Sequence, residues 1–395
     1  MAPMALLAGL IGIGFGALNA ADIYWLPSIS PLFSSIALIG GIFILVFQLG
    51  EQIIQPEYAM MGGLVLAWAT LIGATLQWLI QVPPLWRAGL GKLRFRFNFQ
   101  NPGVQEITKV MIPATLSSGM LHINVYTDLF FASYIPQAAA SLGYSGLLVQ
   151  TPLGIISNVI LVPFLPIFSR LAAPENWQDL KYRIRQALVL TAITMLPLSA
   201  VMVTLALPII RVVYERYAFD LSASKFVASV LIAYAVGMFV YLGRDVLVRV
   251  FYALGDGETP FKVSVFNIFL NALLDYLLIN AFGAPGLVLA TVGVNLISMV
   301  IFLWLLDRKL GGLPWGEWLI PFASLIAGSL ATALVCWTVL WGSQLMLGSE
   351  GFFVQLLELA LASFSGLGIF GLIVMKMNLP EVDIFVGRIR QKLGI

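Results

Sequence analysis

Residues 265–279 read VFNIFLNALLDYLLI. The apolar majority marks a membrane-spanning helix, yet Asn267, Asn271 and Asp275 stand four residues apart along it. Four residues is just over one helical turn, so the three side chains share one face. An uncompensated carboxylate at that depth costs roughly 3 kcal/mol even on insertion scales. Something must face the stripe.

The rest of the chain sets the context. Of 395 residues, 60% are hydrophobic and 10% charged, with a mean hydropathy of +0.96. A soluble domain is about a quarter charged, so the composition predicts an all-α polytopic membrane protein. The net charge of +2 gives no reason to expect nucleic acid. A single cysteine, Cys336, excludes an intrachain disulfide and a cysteine metal cluster. His122 is the one histidine, too few for a histidine metal site. The opening MAPMALLAGLIGIGFGALNAAD has no basic n-region and reads as a membrane helix rather than a signal peptide.

Apolar stretches of spanning length fall at roughly 4–22, 28–48, 58–82, 106–134, 138–168, 187–210, 224–250, 260–281, 285–306, 317–342 and 352–375. These predict about 11 transmembrane helices. We divide them into residues 1–134, 135–310 and 311–395, the last ending in a tail with apolar and basic residues on separate faces. The polar connection 169–186 has the composition of a short interfacial helix. All of the 21 basic residues except Arg211, Arg216 and Lys225 fall on one side of this alternation. That bias predicts a cytoplasmic C-terminus, and an odd helix count then puts the N-terminus outside.

No nucleotide loop, nucleophile elbow or metalloprotease motif is present, so the chain reads as no enzyme. GDGE at 255–258 precedes Thr259-Pro260 and forms a turn; it lacks the lysine and preceding strand of a phosphate cradle. The intramembrane polar residues carry more. They include Asp128 with His122 and Asn124, the 267–275 stripe, Thr291 with Asn295, and Glu358. A lone Asn or Thr is more often interhelical glue. Two mid-helix carboxylates differ. If Asp128 and Asp275 face one interior point, a hard cation compensates both, with oxygens from Asn271 and Thr291 beside them. Arg244 and Arg249 could attract anionic head groups or simply anchor the positive side.

At RVFYALGDGETPFKVSVFNIFLNALLDYLLINAFGAPGLVLAT, residues 249–291, the sequence resembles the MurJ/MviN family of lipid II flippases in the MOP exporter superfamily. LIQVPPLWRAGLGKLRFRF, MIPATLSSGMLHINVYTDLFFASYI and PIIRVVYERYAFD agree with the same pattern. The resemblance implies a bacterial inner-membrane flippase that moves a lipid-linked peptidoglycan precursor by alternating access. It implies lipid II or a similar undecaprenyl-pyrophosphate-linked substrate, contact with membrane lipids, and a monomer. It also implies a Na⁺ site formed by Asp128, Asn271, Asp275, Thr291 and the backbone carbonyl of Leu287, with no other cofactor. The family has 14 helices and this chain's first resembles the fourth, so the expectation is a chain three helices short. One departure stands in QAAASLGYSGLLVQTPLG, where Gly146 and Leu147 occupy the place of a family Asp-Arg pair and Ala140 that of a serine. The alternatives are an exporter of another polyprenyl-linked glycan or small molecule, or a truncated, non-transporting membrane protein.

Overall fold

The computed structural model describes residues 2–23, 25–90, 101–348 and 351–377, apart from some side chains within 102–121 and a few elsewhere. The helices are α1 (Ala2–Ala20), α2 (Trp25–Ile29), α3 (Pro31–Leu49), α4 (Ala59–Leu79), α5 (Val82–Arg87), α6 (Pro102–Ala132), α7 (Ala138–Arg170) and α8 (Trp177–Thr204). They continue as α9 (Ala206–Tyr214), α10 (Leu221–Val236), α11 (Met238–Ala253), α12 (Glu258–Phe282), α13 (Ala284–Lys309), α14 (Trp315–Leu347) and α15 (Phe352–Lys376). No strand occurs among the described residues. Ten helical segments among them are long and apolar enough to cross a membrane. The remaining expected stretch, 106–134, is covered by the 31-residue α6. The amphipathic tail lies outside the described residues.

The chain forms two compact units, Met1–Lys109 and Val110–Ile395. In the first, α3 and α4 pack closely because glycine removes the side chain between them. A Cβ at Gly73 would stand 2.7 Å from the Ser34 Cα, and one at Gly41 2.7 Å from the Ala69 Cβ. Membrane helices associate without a hydrophobic driving force between them, so such backbone contact is a main source of attraction.

In the second unit, Phe168, Leu188, Met195, Leu231, Met238, Phe251 and Phe302 join α7, α8, α10, α11 and α13 in one buried cluster. Helices α14 and α15 pack on each other and on α8. Two expected spans are interrupted. The 187–210 stretch breaks at Leu205, between α8 and α9, and the 224–250 stretch at Gly237, between α10 and α11. At Gly237 a Cβ would lie 2.4 Å from Val292 Cγ2 on α13. By contrast Pro152, Pro163 and Pro166 stay inside α7 and Pro197 inside α8.

The 169–186 connection is not a separate interfacial helix. Only a short turn at Pro174–Asn176 interrupts it, and Trp177 starts α8, which runs unbroken into the membrane. The reason is packing: Leu180, Ile184, Ala187 and Leu188 follow helical spacing and are fully or almost fully buried.

At the basic end of the α12–α13 hairpin, Asp256 caps α12. It accepts from the Thr259 amide at 3.0 Å and hydroxyl at 2.9 Å, and from Lys309 Nζ at 2.5 Å. Burial pushes this carboxyl up, but the Lys309 and Thr259 bonds outweigh that and hold it below the usual carboxylate range. The clamp ties the start of α12 to the end of α13.

Candidate functional site

The stripe of α12 faces α6 and α13. Asn271 Nδ2 donates to Asp128 Oδ1 on α6 and to Asp275 Oδ2 on its own helix, both at 2.8 Å. Thr291 on α13 donates through Oγ1 to Asp128 Oδ2 at 3.1 Å, and the same hydroxyl lies 3.5 Å from Asn271 Oδ1 and 3.4 Å from the Leu287 carbonyl. Three helices therefore bring Asp128, Asn271, Asp275, Thr291 and the Leu287 carbonyl to one place. Asn271 and Asp275 are fully buried.

Two carboxylates that share one amide repel each other across a poorly solvated gap. Asp275 Oδ1 is shut off from solvent and has no hydrogen-bond partner. Such an orphaned acceptor is costly, and a cation removes the cost. The donor set fits a hard monovalent ion: two carboxylates, a hydroxyl, a main-chain carbonyl, and an amide whose oxygen reaches the same point by a half-turn. Among the described residues no group of three or more His, Cys, Asp or Glu side chains stands together, so this set has none of the character of a transition-metal centre.

Asn267, the third member of the stripe, is not in this set. Its Oδ1 accepts from Ser298 Oγ on α13 at 2.8 Å. Ser298 was not singled out in the sequence, although it stands seven residues beyond Thr291 and hence on the same helix face. Asn295 donates from Nδ2 to the Thr291 carbonyl at 2.7 Å and so braces the turn that carries the hydroxyl.

The other candidates stand apart from this constellation. Arg244 and Arg249 lie on α11. Arg244 Nη1 is 3.3 Å from the Asp245 carboxylate, and its Nε is shut off from solvent without a partner. Arg249 Nη1 donates to the Leu161 carbonyl of α7 at 3.4 Å. His122 is exposed, with its ring centroid 6.5 Å from that of Tyr126. Glu358 is buried in α15 with Oε1 unpartnered. On α7, Gly146 and Leu147 line a depression of about 480 Å³ together with Tyr144 and Gln150.

A family profile described as "Lipid II flippase MurJ" matches residues 1–359. The chain is 57% identical over 394 residues to the probable lipid II flippase MurJ of Synechocystis sp., which covers 99% of this chain and 74% of that protein. It is 26% identical over 342 residues to the lipid II flippase MurJ of Burkholderia cenocepacia, covering 84% of this chain and 63% of that one. In fold it matches a solved structure titled "Lipid II flippase MurJ, inward closed conformation" with a TM-score of 0.73, at 20% identity over 95% of this chain and 72% of that one. Profile, sequence and fold agree over nearly the whole length: the chain belongs to the MurJ family.

Proposed function

We propose that this chain moves lipid II, or a closely similar undecaprenyl-pyrophosphate-linked glycan, across the bacterial cytoplasmic membrane by alternating access coupled to a cation. Family membership supports the substrate class. The observation that carries the coupling is the pair of carboxylates, Asp128 and Asp275, held together from two helices by Asn271 and Thr291. When bound, Na⁺ supplies the positive charge that this pair otherwise lacks.

The chain's own residues do the rest. Asp128 belongs to α6, whereas Asn271, Asp275 and Thr291 belong to the α12–α13 hairpin clamped by Asp256 and Lys309. Any shift of α6 against that hairpin changes the distance between the carboxylates. A conformation with the four side chains together binds the ion more tightly than one with them apart, and that differential affinity biases the equilibrium between states. No nucleotide-hydrolysing constellation is needed. Arg244 and Arg249 lie on the basic side of α11, where they favour an anionic head group.

Expression of the chain in a bacterium depleted of its own lipid II flippase tests this reading. Rescue from lysis is expected, with Asp275→Asn rescuing poorly although present in the membrane. Rescue by wild type and Asp275→Asn alike would overturn the coupling, and no rescue by either would overturn the function.

Orientation has its own test. The basic-residue bias puts the C-terminus in the cytoplasm and the 343–351 connection outside. Met346, near the end of α14, is 88% exposed. In a Cys336→Ala background, Met346→Cys is expected to react with a membrane-impermeant maleimide added to intact cells. Reaction only after permeabilisation would reverse the orientation.

A further inference from the structure

One helical turn from the cation site the surroundings differ sharply on its two sides. On the side of the α12–α13 turn, the residues four positions from Asp128, Asp275 and Thr291 are Ala132, Ile279 and Leu287. All three belong to one apolar cluster, which also contains Ala284 beside that turn. On the side of the basic end, the residues four positions from Asp128, Asn271 and Thr291 are Asn124, Asn267 and Asn295. Four residues along a helix keep the same face and advance roughly 6 Å. Three helices therefore each place a side-chain amide one turn below the residue they contribute to the site.

We propose that Asn124, Asn267 and Asn295 form an exchange tier through which the cation enters and leaves, while the apolar cluster seals the opposite side. The proposal rests on the cation reading above. An ion crossing a dry interior needs oxygens at each step to replace its hydration shell, and the tier supplies three amide oxygens. Asn124 Oδ1 is shut off from solvent with no hydrogen-bond partner. Asn267 Oδ1 is held by Ser298 Oγ at 2.8 Å, but that hydroxyl also lies 2.8 Å from the Val294 carbonyl. It can release Asn267 without losing its own bond. Asn295 uses Nδ2 on the Thr291 carbonyl, so its oxygen is the amide atom turned away from that bond. On the apolar side Ala132, Ile279 and Leu287 carry no side-chain oxygen; the hydroxyl-bearing side chains packed against that cluster are Tyr234 and Tyr241, which belong to other helices.

An exchange tier changes rates without changing affinity; a ligand changes affinity. The test measures equilibrium binding and release of radioactive Na⁺ by rapid filtration, using the full chain in detergent. Asn267→Leu and Asn295→Leu are expected to slow uptake and release by at least about tenfold, since each removes an oxygen that contacts a charged group. The dissociation constant should stay within about twofold. Asn267→Ala and Asn295→Ala provide the same measurement where leucine does not fold, and Ile279→Ala, which thins the seal, should not slow exchange. Wild-type rates in the Asn variants, or a loss of affinity carried by faster release, would overturn the tier. Wild-type Na⁺ affinity in Asp275→Asn would instead remove the site itself, and the tier with it.

Discussion

Raising NaCl at constant ionic strength should raise the unfolding temperature of the full chain in detergent, and the rise should saturate. The physical ground is mass action: an ion that binds the folded but not the unfolded state stabilises by RT ln(1 + [L]/Kd), about 2.7 kcal/mol at a hundredfold excess over Kd. The folded chain gains because Asp128 and Asp275 share one amide hydrogen-bond donor and Asp275 Oδ1 has no partner. Choline chloride, which holds ionic strength but cannot enter an oxygen cage, should give little of the effect. Asp275→Asn should lose most of the Na⁺ response, because it removes one charge and nearly preserves shape. Its unfolding temperature without Na⁺ should equal or exceed wild type, since like-charge repulsion is relieved. Asn267→Ala should keep the response, because Asn267 bonds Ser298 and not the site. Equal Na⁺ responses in wild type and Asp275→Asn would return the stripe to interhelical hydrogen bonding.

That the stripe needed a partner was readable from spacing and hydropathy alone, because a buried carboxylate on one helical face has few affordable environments. Which helices supply the partner was not. Asp128 lies 143 residues before Asn271 along the chain, and nothing local encodes that approach; the family resemblance named the set, and the structure brings its members together. Most spans were likewise visible, since crossing a bilayer fixes both length and polarity. The misread connection at 169–186 shows the limit. DLKYRIRQ is polar in composition, yet Leu180 and Ile184 continue the buried face of α8 through it. Periodicity carried the signal there and composition hid it. Helix breaks were only half legible. Pro152, Pro163 and Pro166 all sit in one continuous α7, while the break at Gly237 follows the close approach of Val292. A glycine's role depends on what stands opposite its missing side chain, which a sequence does not display.

Gly286 is such a position, and its substitution is expected to have the largest structural effect of any single methyl group near the site. The α12–α13 turn passes through Gly283 at φ +62°, and α13 starts at Ala284. A Cβ at Gly286 would stand 2.3 Å from the Leu278 carbonyl oxygen, 2.8 Å from its carbon and 3.3 Å from the Ile279 nitrogen. These are backbone atoms of α12, so no side-chain rotation relieves the clash. The hairpin must splay, at a cost at or above the roughly 1–3 kcal/mol typical of overpacking. Splaying moves Leu287 and Thr291 on α13 away from Asn271 and Asp275 on α12. Gly286→Ala should therefore lower the unfolding temperature and also weaken the Na⁺ response. Gly293 is the internal control on the same helix. A Cβ there would meet only the Leu274 Cδ1, at 3.4 Å, the movable end of a side chain. Glycine in a helix interior costs about 0.5–1 kcal/mol relative to alanine, so Gly293→Ala should match or exceed wild-type stability and keep its Na⁺ response. A Gly286→Ala variant that unfolds at the wild-type temperature with the wild-type Na⁺ response would show that the hairpin can open by the width of a methyl group without disturbing the site. The close contact between α12 and α13 would then not be what aligns Thr291 with Asp275.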